Sequence, residues 1–329
     1  MAVLAEPDDL DDGDIVDCCG ATMSWKQAER ERPDIAAAAH QKELHSVFVE
    51  HQACHPVIYD GTSSYHRSHD LFDIKLADDS GKSRYVLGKL VEGELVDPGV
   101  PLYSPTMDMK LITMMLLLGL EQDLELSVRD VRAAFMQSHM RVKDVFVKLQ
   151  KHMVDRIMEL EGLPDHWKEY VREDGSMFVE CDRAWYGHPA ACSIFNADID
   201  EILKSKCGYK QHSMVPCLYY RDLGKGKQAY IMLFVDDLGY LMPPNGVESK
   251  RVTDILEERY GELKKQDGDR VKYVGLEVFR NRKRNRFEVT MAKRTRKLAE
   301  KYNVTTAVSN QHGLTEHSRS EEKTMNKDQ

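Results

Sequence analysis

The sequence predicts a mixed fold of helices and antiparallel strands, and three patterns predict it. Apolar residues recur at helical spacing over several stretches, strict alternation marks residues 124–130, and two pairs of strand-like runs flank turn sequences at 224–227 and 281–285. The chain has 329 residues, 42% hydrophobic and 31% charged, enough for one large or two ordinary domains around a sizeable core. This composition excludes collagen-like and wholly disordered classes. The longest apolar run, residues 111–120, is about half of what a bilayer-spanning helix needs. The N-terminus lacks a basic stretch followed by an apolar one, so no signal peptide is expected. The expectation is a soluble intracellular protein, cytoplasmic or nuclear, not secreted and without a membrane partner.

Taken in order, residues 1–22 are acidic and aperiodic and are expected to be disordered. A helix is expected from 24 to about 49, with Ser24 as its N-cap. Short strands are expected over 56–91, with turns at Asp60-Gly61 and Asp79-Ser80-Gly81. Pro98, Gly99 and Pro101 mark a loop. Ser104 and Pro105 then open a helix to about 119, because proline is favoured in a first helical turn. In 124–130, Leu124, Leu126 and Val128 alternate and Asp130 continues their face. Residues 150–180 mix helix and loop, and a helix pattern covers 193–204. Strands at 217–222 and 228–235 form the clearest hairpin, and a strand at 238–242 ends at Pro243-Pro244. Residues 247–265 read as an amphipathic helix. A hairpin of 271–279 with 286–291 follows, then a helix over 292–302, and residues 305–329 are expected to be disordered.

The net charge of −9 argues against a nucleic-acid partner until its distribution is considered. Residues 1–20 hold seven acidic residues and no Lys or Arg. Residues 280–301 hold Arg280, Arg282, Lys283, Arg284, Arg286, Lys293, Arg294, Arg296, Lys297 and Lys301 against Glu288 and Glu300. Such a segment can meet a phosphate backbone whatever the total charge; the alternative is a solvated hairpin and helix face. The seven cysteines are scattered without a CxxC pair, which disfavours a zinc ribbon and fits reduced thiols. His51, Cys54 and His55 form one weak metal-ligand pattern, with ordinary packing as the stronger alternative.

Asp236 and Asp237 stand at the end of an almost wholly apolar strand, where two like charges repel and lose hydration. Divalent cations would remove that cost, and magnesium prefers such oxygen ligands. Asp130, ending a different strand, is the candidate third carboxylate of a two-metal site. Strand alternation puts Asp236 on the face of Met232 and Phe234, so Asp130 and Asp236 rank as main ligands and Asp237 as secondary. The alternative is that Asp236-Asp237 is simply a hairpin turn.

These residues resemble a known family. Asp130-Val-Arg-Ala-Ala-Phe135 is similar to the DVxxAF motif of Ty1/copia-type reverse transcriptases, and Phe234-Val-Asp-Asp237 is similar to their VDD motif. In the same order, Ser24-Trp25 with Lys42-Glu43, Lys89-Leu-Val91, Tyr103-Ser-Pro105, Trp185-Tyr-Gly187 and Tyr273-Val-Gly-Leu-Glu277 resemble further family elements. The resemblance implies an α+β right-hand polymerase with palm and fingers and a truncated or absent thumb. It places fingers at about 23–123, palm at about 124–245, and the palm's end with the start of a thumb at about 246–303, leaving 304–329 as a tail. It implies RNA-directed DNA synthesis with Mg2+, two ions, Mn2+ being an alternative. The implied partners are dNTPs and an RNA or DNA template with its primer.

Carried over by position, Asp130, Asp236 and Asp237 are the catalytic, metal-holding aspartates. Phe135 matches the aromatic gate that excludes a ribose 2′-hydroxyl. Lys89 is a candidate triphosphate ligand, although Gly88 and Lys89 stand where the family has Ala-Arg. Ala190 falls where the family carries a nucleotide-contacting glutamine, within a departure at His188-Pro-Ala-Ala-Cys-Ser193. The basic residues Arg280 to Lys301 would face primer and template. No ribonuclease H or integrase region is seen, and a fragment or decayed copy of a Pol polyprotein is the expectation; a relic that only binds nucleic acid is the alternative.

Overall fold

The computed structural model describes residues 23–74, 81–91 and 101–292, together with 295, 296 and 299. The expectations for 1–22 and 304–329 lie outside the described residues. The chain opens with β1 (Met23–Ser24), α1 (Trp25–Glu31) and α2 (Pro33–His45), which runs on as a π-helical turn over Ser46–Glu50. The single helix expected over 24–49 is thus broken. Proline disfavours helical geometry in the residue before it, and Arg32 accordingly sits at φ −142°. β2 (Cys54–Val57), β3 (Tyr65–Ile74) and β4 (Gly81–Val91) follow. α3 (Met109–Glu121) starts later than Ser104, because the Asp108 carboxylate caps it by accepting from Leu111 N–H at 2.8 Å.

Next come β5 (Glu125–Asp130), β6 (Phe146–Leu149), α4 (Lys151–Met158), β7 (Met177–Cys181) and α5 (Ala191–Ser205). β8 (Lys210–Gln211), β9 (Leu218–Gly224), β10 (Lys227–Phe234) and β11 (Asp237–Met242) form a run of strands. α6 (Val247–Tyr260) ends short of the expected 265. Gly261 takes φ 73°, which a residue with Cβ rarely adopts, and releases the chain into β12 (Lys264–Gln266). The strand expected over 271–279 is split by positive φ at Val274 and Gly275 into β13 (Arg270–Tyr273) and β14 (Leu276–Asn281), and β15 (Arg286–Thr290) completes a three-stranded sheet.

Two six-stranded sheets organise the rest. One has the order β1-β3-β6-β7-β2, with β4 on β3. Its core contains Leu44, Phe48, Val147, Leu149, Met177, Val179 and Trp185, and the Phe48 ring meets Trp167 and Trp185 edge-on, each at 5.9 Å. The other runs β12-β5-β11-β10-β9-β8 and is antiparallel throughout. The boundary expected near 123 therefore does not divide the sheets. β6 and β7 come from the 124–245 span yet pair with β3 and β2, from before it.

In the second sheet, α5 and α6 cover one face. Tyr219 of β9 donates to Asp200 of α5 at 2.8 Å, and Arg129 of β5 reaches Ser249 and Thr253 of α6, each at 3.1 Å. α3 and Tyr273 lie on the other face. Gly119 of α3 approaches Leu241, and the Tyr273 hydroxyl donates to the Met232 carbonyl at 2.8 Å. Gly239 permits the latter, since a Cβ there would meet the Tyr273 ring and the Met232 methyl at 3.0 Å.

Candidate active site

The carboxylates sit where β5, β10, β11 and β12 end together. Phe234, Asp237, Asp130 and Lys264 are direct partners across successive ladders: Phe234 with Asp237, Asp237 with Asp130, Asp130 with Lys264. Residues directly opposite in a sheet project on the same face, so these four form one row. Val235 and Asp236 make the turn between β10 and β11, with Val235 at φ 55°. Val131 N–H donates to the Asp236 carbonyl at 3.1 Å, tying the turn to the residue after Asp130.

The turn removes the alternation on which Asp236 was ranked above Asp237. Alternation holds only while the strand continues, and β10 stops at Phe234. Asp237 is the residue beside Asp130, while Asp236 is exposed in the turn. The alternatives posed by the sequence also merge, since Asp236-Asp237 does belong to a hairpin turn and still adjoins Asp130.

Electrostatics bind the group together. Burial, then the Asp236 charge, then the Asp130 charge push the Asp237 carboxyl up to about 7, opposed by Lys264. Lys264 Nζ lies 3.8 Å from Asp130 Oδ2. Among the described residues, no three His, Cys, Asp or Glu side chains are already gathered as a metal cage. The donors fit magnesium in kind: all are carboxylate oxygens whose mutual repulsion a divalent ion would relieve.

Sequence reasoning missed Lys264 and Arg129. Lys264 lay inside an expected helix. Arg129 is 4% exposed on the face opposite the carboxylate row; it donates to Thr253, Ser249 and the Val128 carbonyl, and to Asp267 at 2.8 Å. Its guanidinium also lies over the Tyr240 ring, 5.4 Å from the centroid. A charged residue in an apolar strand beside Asp130 was the available signal.

Phe135 is half-buried on a short 3₁₀ turn, Ala134–Gln137, entered through Ala133 at φ 48°. Its ring centroid is 5.2 Å from that of Tyr186 and 6.4 Å from that of Phe195. The turn is pinned from below. Asp198 of α5 accepts from Ser138 and from Arg259 of α6, each at 3.0 Å, and Arg259 also donates to the Gln137 carbonyl at 3.0 Å.

Other predicted site residues are placed differently. Ala190 has no exposed surface; it packs with Ala184, Ala191 and Ile194, so its methyl cannot touch a ligand. His188 beside it is buried too, accepts from Ala190 N–H at 3.2 Å, and is held down to about pH 4 by burial and by His66. Lys89 belongs to β4, and its side chain lies outside the described residues, as do Lys293 and Arg294.

The basic hairpin is largely self-neutralised. Arg280 is 6% exposed, stacked on Phe287 and bonded to Asn285 at 2.9 Å, so it is a packed residue and not a phosphate ligand. Arg282 pairs with Glu125 and Asp269, and Arg286 pairs with Glu288. Lys283 and Arg284 are exposed at the tip. The pattern of His51, Cys54 and His55 does not converge either. Cys54 is buried opposite Cys181, whereas His55 points outward to Asp182 at 2.8 Å, as neighbours in a strand must.

What fold and site define is a mixed α/β protein with acidic groups gathered at the ends of antiparallel strands. No family model matches the chain. Over 240 residues, 72% of its length, it is 22% identical to the retrovirus-related Pol polyprotein from transposon TNT 1-94 of Nicotiana tabacum. The match covers 16% of that polyprotein. The chain is thus distantly related to a retrotransposon Pol polyprotein and spans a small part of one. Among the described residues, no helix is long and apolar enough to cross a membrane.

Proposed function

We propose that the chain is a reverse transcriptase domain of Ty1/copia type, extending a primer 3′-hydroxyl with a dNTP on an RNA or DNA template. In this reading the sheet from β12 to β8 with α5 and α6 is the palm, and the sheet containing β3 and β4 belongs to the fingers. The observation that carries it is the register: Asp237 stands directly opposite Asp130, with Asp236 in the turn that leads from β10 into β11.

Asp130, Asp236 and Asp237 would hold Mg2+, which when bound activates the attacking hydroxyl and stabilises the leaving pyrophosphate. The chain's own residues supply the rest. Asp237 gives up the proton it keeps near neutral pH, freeing its oxygens. The Phe135 ring, on a turn held at Gln137 and Ser138 by Arg259 and Asp198, would exclude a 2′-hydroxyl. Lys283 and Arg284, exposed at the hairpin tip, would offer charge to a phosphate backbone.

Primer extension on an RNA template with Mg2+ or Mn2+ tests the reading. Extension by the wild type, lost in Asp130→Asn and in Asp237→Asn, is expected. The second reading, an inactive relic that binds nucleic acid, is favoured by the sealed Ala190, which leaves no polar group where the glutamine is expected. Duplex binding without extension in any metal would select it.

A further inference from the structure

We propose that Lys264 is the built-in counter-cation of the carboxylate row, occupying the place a divalent ion takes and thereby setting how tightly that ion binds. The inference rests on the metal reading of the site and adds a determinant of its affinity.

Three observations carry it. Lys264 is the direct ladder partner of Asp130, so its side chain leaves the sheet on the carboxylate face. Its Nζ lies 3.8 Å from Asp130 Oδ2. The strand that carries it, the three-residue β12, is held from the opposite face. Arg129 donates to Asp267 at 2.8 Å just beyond β12, and Lys265, pointing the other way, is bound to Glu257 at 2.8 Å. Adjacent lysines are therefore committed to different partners, and Lys264 has been assigned to the aspartates.

An ammonium is a monovalent, strongly hydrated point charge on a flexible stem. Its single charge offsets less of the repulsion among three carboxylates than a divalent ion would. A divalent ion held there would drive the ammonium away, since two cations repel across a few ångströms. No bond is made or broken; one cation is exchanged for another. For an exposed pair at high effective dielectric, removing the ammonium should tighten divalent binding about three- to tenfold.

The test is Mn2+ titration of the full chain without nucleotide, reading bound ion by electron paramagnetic resonance and by calorimetry. Wild type, Lys264→Gln, Lys264→Arg and Asp237→Asn are compared, and the ion lost in Asp237→Asn defines the site. The expected result is about three- to tenfold tighter binding in Lys264→Gln and near-wild-type binding in Lys264→Arg, which keeps the charge. Equal affinity in wild type and Lys264→Gln would overturn the proposal while leaving the metal site standing. If Asp237→Asn removes no ion from any variant, the metal reading itself fails, and this inference with it.

Discussion

Asp237 makes the metal-free protein sensitive to pH, with a definite sign. Its carboxyl is pushed up to about 7 in the fold from an ordinary value of 3.8. Between those values the folded chain holds a proton that the unfolded chain has released, so stability falls as pH rises from about 4 to about 7 and levels off above. Melting temperature in chelator should therefore decline across that window in the wild type and stay flatter in Asp237→Asn; matching slopes would show that the buried carboxyl carries no such linkage. At Phe135 two roles overlap. Phe135→Ala should admit ribonucleotides while dNTP use persists, and should cost roughly 1–3 kcal/mol because the ring is half-buried against Tyr186 and Phe195. Matched rNTP and dNTP incorporation, with denaturant melts, separates the two. A stability loss with unchanged discrimination would make the ring packing alone. That Asp130 and the Asp236-Asp237 pair end separate strands was legible, but which of the pair stands opposite Asp130 was not, since alternation along a strand carries no information about where the strand turns.

At the scale of elements, the β14–β15 hairpin shows how charge in a sequence overstates charge available to a ligand. Arg280, Arg282 and Arg286 are answered by Asp123, Glu125, Asp269 and Glu288, which come from distant or alternating positions. Neutralising Lys283 and Arg284 together should flatten the salt dependence of duplex binding by about two units of slope. Neutralising Arg282 and Arg286 should change it far less, because their guanidiniums are already engaged by carboxylates and release few counterions on binding. Duplex affinity across a salt series, pair against pair, decides this; equal effects would mean that the ion pairs open on binding. Helix ends were legible where a specific residue acts: Gly261 stops α6 and Pro33 divides α1 from α2. β12 escaped detection because three residues carry too little periodicity to register beside a helix.

For the whole molecule, the mixed fold and its antiparallel hairpins were legible, but the division into parts was not. Sheet membership depends on partners far apart in sequence, and β6 and β7 show it by joining strands from before residue 75. A fragment beginning at residue 124 should therefore fail to fold cooperatively, leaving β6 and β7 with unpaired edges and the Phe48 contacts with Trp167 and Trp185 missing. Circular dichroism melts and limited proteolysis would show it, and a sharp transition with protease resistance would refute it. The place of β5 in its sheet has a consequence for biosynthesis. Both of its partners, β11 and β12, lie roughly a hundred residues or more downstream, so on the ribosome this strand leaves the tunnel long before either can pair with it. The segment carrying Asp130 thus stays unpaired on the nascent chain for a long interval, and the yield of soluble protein should depend on chaperone supply during it.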